Sequence, residues 1–292
     1  MNRPYREKLA LGTVQFGLDY GISNTRGQVP ADEVREILDA AQRGGIAVLD
    51  TAHAYGNSES VLGRGLASVA PDTFRIVSKF PPGTQPDMAT VLRESLVRLG
   101  RENLAGYLFH SLDSYRQAPS RWEEMAELKA AGWIDKRGFS LYQPADARTL
   151  LAEGLDLEMV QVPFSVLDQR WKTVFPELKA AGVEIHVRSA FLQGLVFQDP
   201  EGLDPHFGAA LPALRRLRQL ARESGQSIAA LCLGFALRQP EIDQVIVGVA
   251  GTDQFAENLR LADLTGELAV WEPQLAALAV EEERILLPMH WP

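Results

Sequence analysis

A single cysteine, Cys232, leaves no internal disulfide to hold the chain together, and that scarcity is ordinary in a reducing cytoplasm. Basic residues are in deficit: 29 lysines and arginines stand against 38 aspartates and glutamates, for a formal net charge of −9. With no Lys/Arg cluster to offset it, that balance argues against a nucleic-acid surface. No apolar run is long enough to span a bilayer, and Met1-Asn2-Arg3-Pro4-Tyr5-Arg6-Glu7-Lys8 lacks the apolar core of a signal peptide. A soluble cytoplasmic protein with neither membrane nor nucleic-acid partner is expected. Also missing is a Gly-x-Gly-x-x-Gly turn after the first strand candidate. Leu11-Gly12-Thr13-Val14-Gln15-Phe16-Gly17 stands there instead, without the phosphate-binding spacing of a doubly wound sheet. No stretch rich in Pro, Gly or Ser reads as a linker, so residues 1–292 are expected to form one domain.

What is present is enough apolar residue, 46% of the chain, to fill a sizeable core. It comes as short apolar runs alternating with amphipathic stretches. Strands are expected over 9–11, 47–50, 74–79, 106–110, 136–140, 159–162, 184–189 and 244–247. Between them lie helical patterns such as Val34-Ile37-Leu38-Ala41 and Val91-Leu92-Ser95-Leu96-Leu99, several stopping on glycine, as at Gly44-Gly45, Gly100, Gly132 and Gly182. Strands alternating with helices over this length point to an α/β fold, the (β/α)8 TIM barrel. The irregular stretch 198–210 is expected to lie over the barrel mouth, two helices to follow over 211–223 and 228–238, and a tail helix to run over 273–285.

Active sites of such barrels lie at the C-terminal ends of the strands. Polar residues at or near those ends are Asp50, Lys79, His110, Ser140, Gln161 and Ser189. Tyr55 joins them from Leu49-Asp50-Thr51-Ala52-His53-Ala54-Tyr55-Gly56-Asn57-Ser58-Glu59, a strand running through a loop into a helix. Singly, each has a plain structural reading: a turn cap, loop packing, a solvated lysine, a core histidine. Together they supply proton chemistry. A tyrosine is a poor acid near neutral pH, since its ordinary pKa is about 10; a nearby cation lowers that value, and a carboxylate can keep a buried lysine charged. Asp50 would anchor Lys79, Lys79 would acidify Tyr55, and His110 would polarise a substrate oxygen. Protonating an alkoxide as it forms is half of a carbonyl reduction, and a nicotinamide hydride is the other half.

Asp50-Thr51-Ala52-x-x-Tyr55-Gly56-x-Ser58-Glu59 resembles the signature of the aldo-keto reductases. The resemblance implies a tetrad of Asp50, Tyr55, Lys79 and His110. Ser78-Lys79-Phe80 resembles the family's lysine strand, Tyr107-Leu108-Phe109-His110 its histidine strand, and Gly138-Phe139-Ser140 its Gly-x-Ser strand end. On the same resemblance Ser140 and Gln161 hold the nicotinamide carboxamide, Arg188-Ser189-Ala190-Phe191-Leu192-Gln193-Gly194 forms the cofactor loop after strand seven, and the stretch from Gly248 to Asn258 grips the adenosine end. The implied cofactor set is Gly12, Thr13, Ser140, Gln161, Arg188, Ser189, Phe191, Gln193, Gly194, Gly248, Val249, Gln254, Glu257 and Asn258, with NADP(H) or NAD(H) bound and a small-molecule carbonyl or alcohol as substrate.

Three departures from the family pattern bear on this. Leu141 replaces an asparagine that usually follows the strand-five serine. Arg188 replaces the aromatic that usually stacks on the nicotinamide, although a guanidinium plane can also stack on a ring. The stretch 248–258 has no basic residue, and Arg260 is the first after it, so a 2′-phosphate would lack its fork and preference for NADP would be weakened. Phe16, Tyr20 and His53 are candidates for the substrate pocket, with Trp291 a further one. His186 and Cys232 read as structural. No metal is expected, although Asp50, His53, His110 and His186 could be assembled into a ligand set. The rival to an enzyme is a nucleotide-binding, redox-sensing regulatory subunit with little turnover. A short tail suggests an open pocket for polar, sugar-like carbonyls.

Overall fold

The computed structural model describes residues 5–83 and 87–292. Residues 1–4, part of the N-terminal stretch read above for a signal peptide, and residues 84–86 lie outside the described residues. Eight parallel strands close into a barrel in sequence order: β1 (Leu9–Gly12), β2 (Val48–Asp50), β3 (Arg75–Phe80), β4 (Gly106–Phe109), β5 (Arg137–Ser140), β6 (Met159–Pro163), β7 (Glu184–Arg188) and β8 (Gln244–Gly248). Closure is made by β8 pairing with β1, Gly12 opposite Gly248. The expected (β/α)8 barrel is therefore the fold.

The outer layer holds α1 (Ala31–Gly44), α2 (Ser58–Leu66), α3 (Met88–Leu99), α4 (Leu112–Gln117), α5 (Arg121–Ala130), α6 (Pro144–Ala152), α7 (Phe175–Ala180), α8 (Leu211–Ser224), α9 (Ile228–Leu237) and α10 (Thr252–Leu264). In α1 the predicted stripe Val34, Ile37, Leu38 and Ala41 is the buried face, and the helix ends on left-handed Gly45. Helix α9 is buried from Ala230 to Leu237, on all sides. Short tight helical segments at Pro200–Gly202 and Pro205–Ala210 occupy the expected irregular stretch.

The tail corrects one expectation. The helix over 273–285 is broken into α11 (Glu272–Ala276) and α12 (Glu283–Leu286). Leu278 and Val280 turn inward, and the Val280 N–H donates to the Leu167 carbonyl at 2.8 Å, so tertiary packing overrides local helical preference. Trp291, half-buried, packs on Phe207 and donates its indole N–H to the Ile285 carbonyl at 2.9 Å. At the N-terminal end of the barrel, His186 bonds Glu184 at 2.7 Å and Lys136 pairs with the same carboxylate, the structural role expected for His186.

Candidate active site

Strand geometry alone builds the site. Side chains two apart on a strand share a face, and Ala10, Val48, Val77, Leu108, Met159 and Ile246 form one apolar cluster inside the barrel. Two residues further along the same strands stand Gly12, Asp50, Lys79, His110, Gln161 and Gly248. On β5 and β7 the same step ends at Ser140 and Arg188. Asp50, Lys79, His110, Ser140 and Gln161, expected at the strand ends, thus stand in the next layer up, with Arg188 rather than Ser189 at the end of β7 and bare positions at Gly12 and Gly248.

Tyr55 is brought to this layer by a backbone contact. A Cβ on Gly17 would lie 1.9 Å from the Tyr55 carbonyl oxygen, so only glycine lets the loop after β1 press against the loop carrying Tyr55. Ser58 fastens the other side by donating to the Thr13 carbonyl at 2.7 Å, and buried Glu59 accepts from Ser78 at 2.7 Å and pairs with Arg98. The serine and glutamate after Tyr55 are therefore fasteners between helix and barrel.

Lys79 is fully buried, and its ammonium donates to Asp50 Oδ1 and Oδ2 at 2.8 Å each and to the Thr51 carbonyl at 2.9 Å. An ammonium has three N–H donors, so none remains for the Tyr55 hydroxyl. Lys79 instead lies over the Tyr55 ring, 5.2 Å from its centroid. Tyr55 meets His110 edge-to-face at 5.8 Å. The four side chains are adjacent, but the expected effect of Lys79 on Tyr55 differs. Burial, with the Asp50 charge second, raises the Tyr55 pKa above its ordinary value, and the cation opposing this is Arg188. Burial, then Lys79 and Arg188, lowers His110 to about 3, so its imidazole is neutral near pH 7.

The remaining candidates are placed as follows. Gln161 donates to Asp50 Oδ2 at 2.7 Å, leaving its Oε1 buried without a partner. Ser140 is buried beside it in register, and Leu141 is buried too. Thr13 is buried and donates to the Asp50 carbonyl. Ser189, Leu192 and Gln193 all have positive φ, 65°, 43° and 51°, a concentration of strain in the loop after β7. That loop is tied across the mouth: Gln193 donates to the Tyr20 hydroxyl at 2.8 Å, and its carbonyl accepts from Ile22 N–H. Phe191 packs on Phe197. Arg188 stacks on Tyr142, 4.3 Å from its ring centroid; Tyr142 was not among the expected site residues. Tyr20 is exposed at the mouth and His53 half-buried. Phe16 is corrected: it is fully buried in the core and offers no surface to a substrate.

At the far end of the mouth, Val249 and Asn258 are buried, Gln254 accepts from Ala250 N–H, and Glu257 is held by Arg260 at 2.7 Å. Sequence reasoning missed two residues here. Arg26 donates to the Ala250 carbonyl at 2.8 Å and forks onto Glu33, while Glu33 accepts from Thr252 N–H at 3.0 Å at the start of α10. The Arg26 bonds, then the Thr252 amide, hold the Glu33 carboxyl below its usual range. Among the described residues no group of three or more His, Cys, Asp or Glu is arranged for a metal, and no helix is long and apolar enough to cross a membrane.

Comparison with known proteins places the chain among relatives. The model of the aldo/keto reductase family matches residues 8–268. L-galactose dehydrogenase of Arabidopsis thaliana is 26% identical over 309 residues, covering 97% of this chain and 94% of that protein. D-threo-aldose 1-dehydrogenase of a Pseudomonas species is 25% identical, covering 90% and 94%, and L-glyceraldehyde 3-phosphate reductase of Escherichia coli K12 is 26% identical, covering 89% and 88%. Among solved structures, the holo form of aldo-keto reductase AKR11C1 from Bacillus halodurans superposes with a TM-score of 0.75 at 24% identity, covering 95% of both chains. That last likeness speaks to the fold.

Proposed function

The chain belongs to the aldo/keto reductase family, a family of oxidoreductases acting on small carbonyls and alcohols, and from that membership we propose that it reduces aldehyde, ketone or sugar carbonyls with a nicotinamide nucleotide, reversibly, with Tyr55 as proton donor. The observation that carries the reading is the junction of Asp50, Lys79, Tyr55 and His110 in one layer at the C-terminal ends of β2–β4. Relatives named for galactose and aldose oxidation and for glyceraldehyde phosphate reduction favour polar, sugar-sized substrates.

The residues present fit a nicotinamide nucleotide. Gln161 Oε1 is a buried acceptor with no donor, suited to a carboxamide N–H. When bound, the nicotinamide gives or takes the hydride. Gln161 and Ser140 would hold its carboxamide, the loop from Ser189 to Gly194 its middle, and the segment from Gly248 to Asn258 its adenosine end.

Tyr55 keeps its proton across the neutral range because burial raises its pKa, which suits it to donate to a developing alkoxide, a stronger base than phenolate. His110, neutral and beside the ring, orients the carbonyl oxygen by a hydrogen bond. Asp50 and Lys79 form a fixed, nearly charge-balanced floor that sets where the Tyr55 ring lies. The signs give a pH prediction. With His110 near 3 and Tyr55 above its ordinary value, kcat/KM for reduction should be flat between about pH 5 and 9. Oxidation needs the phenolate and should rise with pH through that range. A reduction profile breaking near the ordinary histidine value would show that His110 titrates there and would overturn its neutral role.

The nucleotide end carries a second expectation. A 2′-phosphate approaching the start of α10 meets the Glu33 carboxylate, which already occupies Thr252 N–H and Arg26. NADH should therefore bind at least as well as NADPH. Glu33→Gln releases Arg26 and removes one negative charge, so NADPH affinity should rise roughly five- to tenfold with NADH affinity little changed. Fluorescence titration of both nucleotides reads this, and a strong NADPH preference in the unmodified protein would contradict it.

A further inference from the structure

Resting on the reduction reading above, we infer that Arg188 forms an anion subsite in the substrate mouth, so that the preferred substrates are carbonyl compounds carrying a carboxylate or a phosphate. The charge balance of the site points there. Lys79 is matched by Asp50 within hydrogen-bonding distance. His110 is neutral, and burial keeps the Tyr55 and Tyr20 hydroxyls protonated. Arg188 is left over. Among the described residues no carboxylate pairs with it, its Nη1 reaches only Ser189 Oγ at a long 3.5 Å, and its Nη2 is buried with no acceptor.

The guanidinium is not loose. Arg188 ends β7 opposite Pro163 with its Cζ 4.3 Å from the Tyr142 ring centroid, and the half-buried side chain keeps donors that meet no acceptor. A buried charged donor without a partner is costly, whereas a carboxylate or phosphate meets a guanidinium edge with two parallel bonds. It stands at the C-terminal strand ends in the layer of Lys79, His110 and Ser140, beside the proposed reacting centre, and its charge acts on Tyr55 and His110. A cation there also opposes the positive ring of oxidised nicotinamide, and a negative group on the substrate balances the two.

The test compares neutral and anionic substrates of matched shape: butanal against succinic semialdehyde for a carboxylate, and glyceraldehyde against glyceraldehyde 3-phosphate for a phosphate. In the unmodified protein one anionic member should be favoured in kcat/KM by on the order of 10- to 100-fold, and the pair showing it identifies the anion. Arg188→Met should erase that ratio, mainly through KM, whatever it does to both members in common. Arg188→Lys, a point charge without the fork, should restore part of it. Nucleotide Kd is measured alongside by fluorescence. An unchanged ratio with a raised nucleotide Kd in Arg188→Met would assign the arginine to the cofactor and overturn the subsite, as would equal use of both members by the unmodified protein. Turnover of none of the four by the unmodified protein leaves the reductase reading to the wider carbonyl panel. The subsite then stands or falls on calorimetric binding of succinate and glycerol 3-phosphate, expected for the unmodified protein and lost in Arg188→Met; no binding would overturn it.

Discussion

Tyr55→Phe is expected to lower kcat for carbonyl reduction by about 10²–10⁴-fold, the span of a lost general acid, with nucleotide Kd almost unchanged. The substitution is clean because both contacts that fix the side chain belong to the ring. Its edge-to-face packing on His110 at 5.8 Å and the Lys79 ammonium 5.2 Å from its centroid need no hydroxyl. Phenylalanine keeps both and removes only the proton to be donated. Steady-state kinetics with a parallel fluorescence titration check it. An undiminished kcat would move the acid elsewhere, with the neutral imidazole of His110 as the next candidate.

The second large effect concerns the ion pair beneath that ring. Lys79 is fully buried and Asp50 nearly so, and breaking such a pair by removing one partner typically costs about 3–5 kcal/mol because the other charge is stranded. Asp50→Asn should therefore lower Tm by roughly 6–10 °C at about 2 °C per kcal/mol. Burial already lowers the Lys79 pKa and Asp50 is the main opposing influence, so loss of the proton from Lys79 would limit the damage. Removing both charges, as Asp50→Leu with Lys79→Met, should cost less than the sum of the two single changes. Gln161 gives the pair a third member, since it too donates to Asp50. Thermal unfolding of the single and double variants reads the coupling; strict additivity would show that the pair contributes nothing as a pair. Activity should fall in each variant, because the floor that positions Tyr55 is lost.

The fold was legible because a parallel barrel buries its strands on both faces and writes them as short apolar runs. Each of the eight expected strands lies within a residue or two of its observed bounds. The polar layer was legible for the same reason: a lone Asp, Lys or His ending such a run has few other places to be. What the sequence hid was partnership over long separations. Lys79 spends its donors on Asp50 and Thr51, 29 and 28 residues away, and Gln161 reaches back 111 residues to Asp50. Arg26 meets Ala250 across 224 residues, so a search for basic residues confined to the segment after β8 could not find it. Phe16 was misplaced because an aromatic just past a strand end reads as mouth lining, while the tight turn over Val14–Phe16 turns it into the core. The tail helix failed because its composition suits a helix and the two inward apolar residues that break it carry no local mark.

The question of enzyme against nucleotide sensor turns on whether Tyr55 protonates a substrate. Following nicotinamide absorbance with purified protein, reduced nucleotide and a panel of aldoses and neutral and anionic aldehydes answers it most directly. The account predicts nucleotide oxidation that requires a carbonyl, yields one alcohol per nucleotide consumed, and disappears in Tyr55→Phe while nucleotide still binds. Nucleotide bound by the unmodified protein, with no oxidation by any carbonyl on the panel, would contradict it.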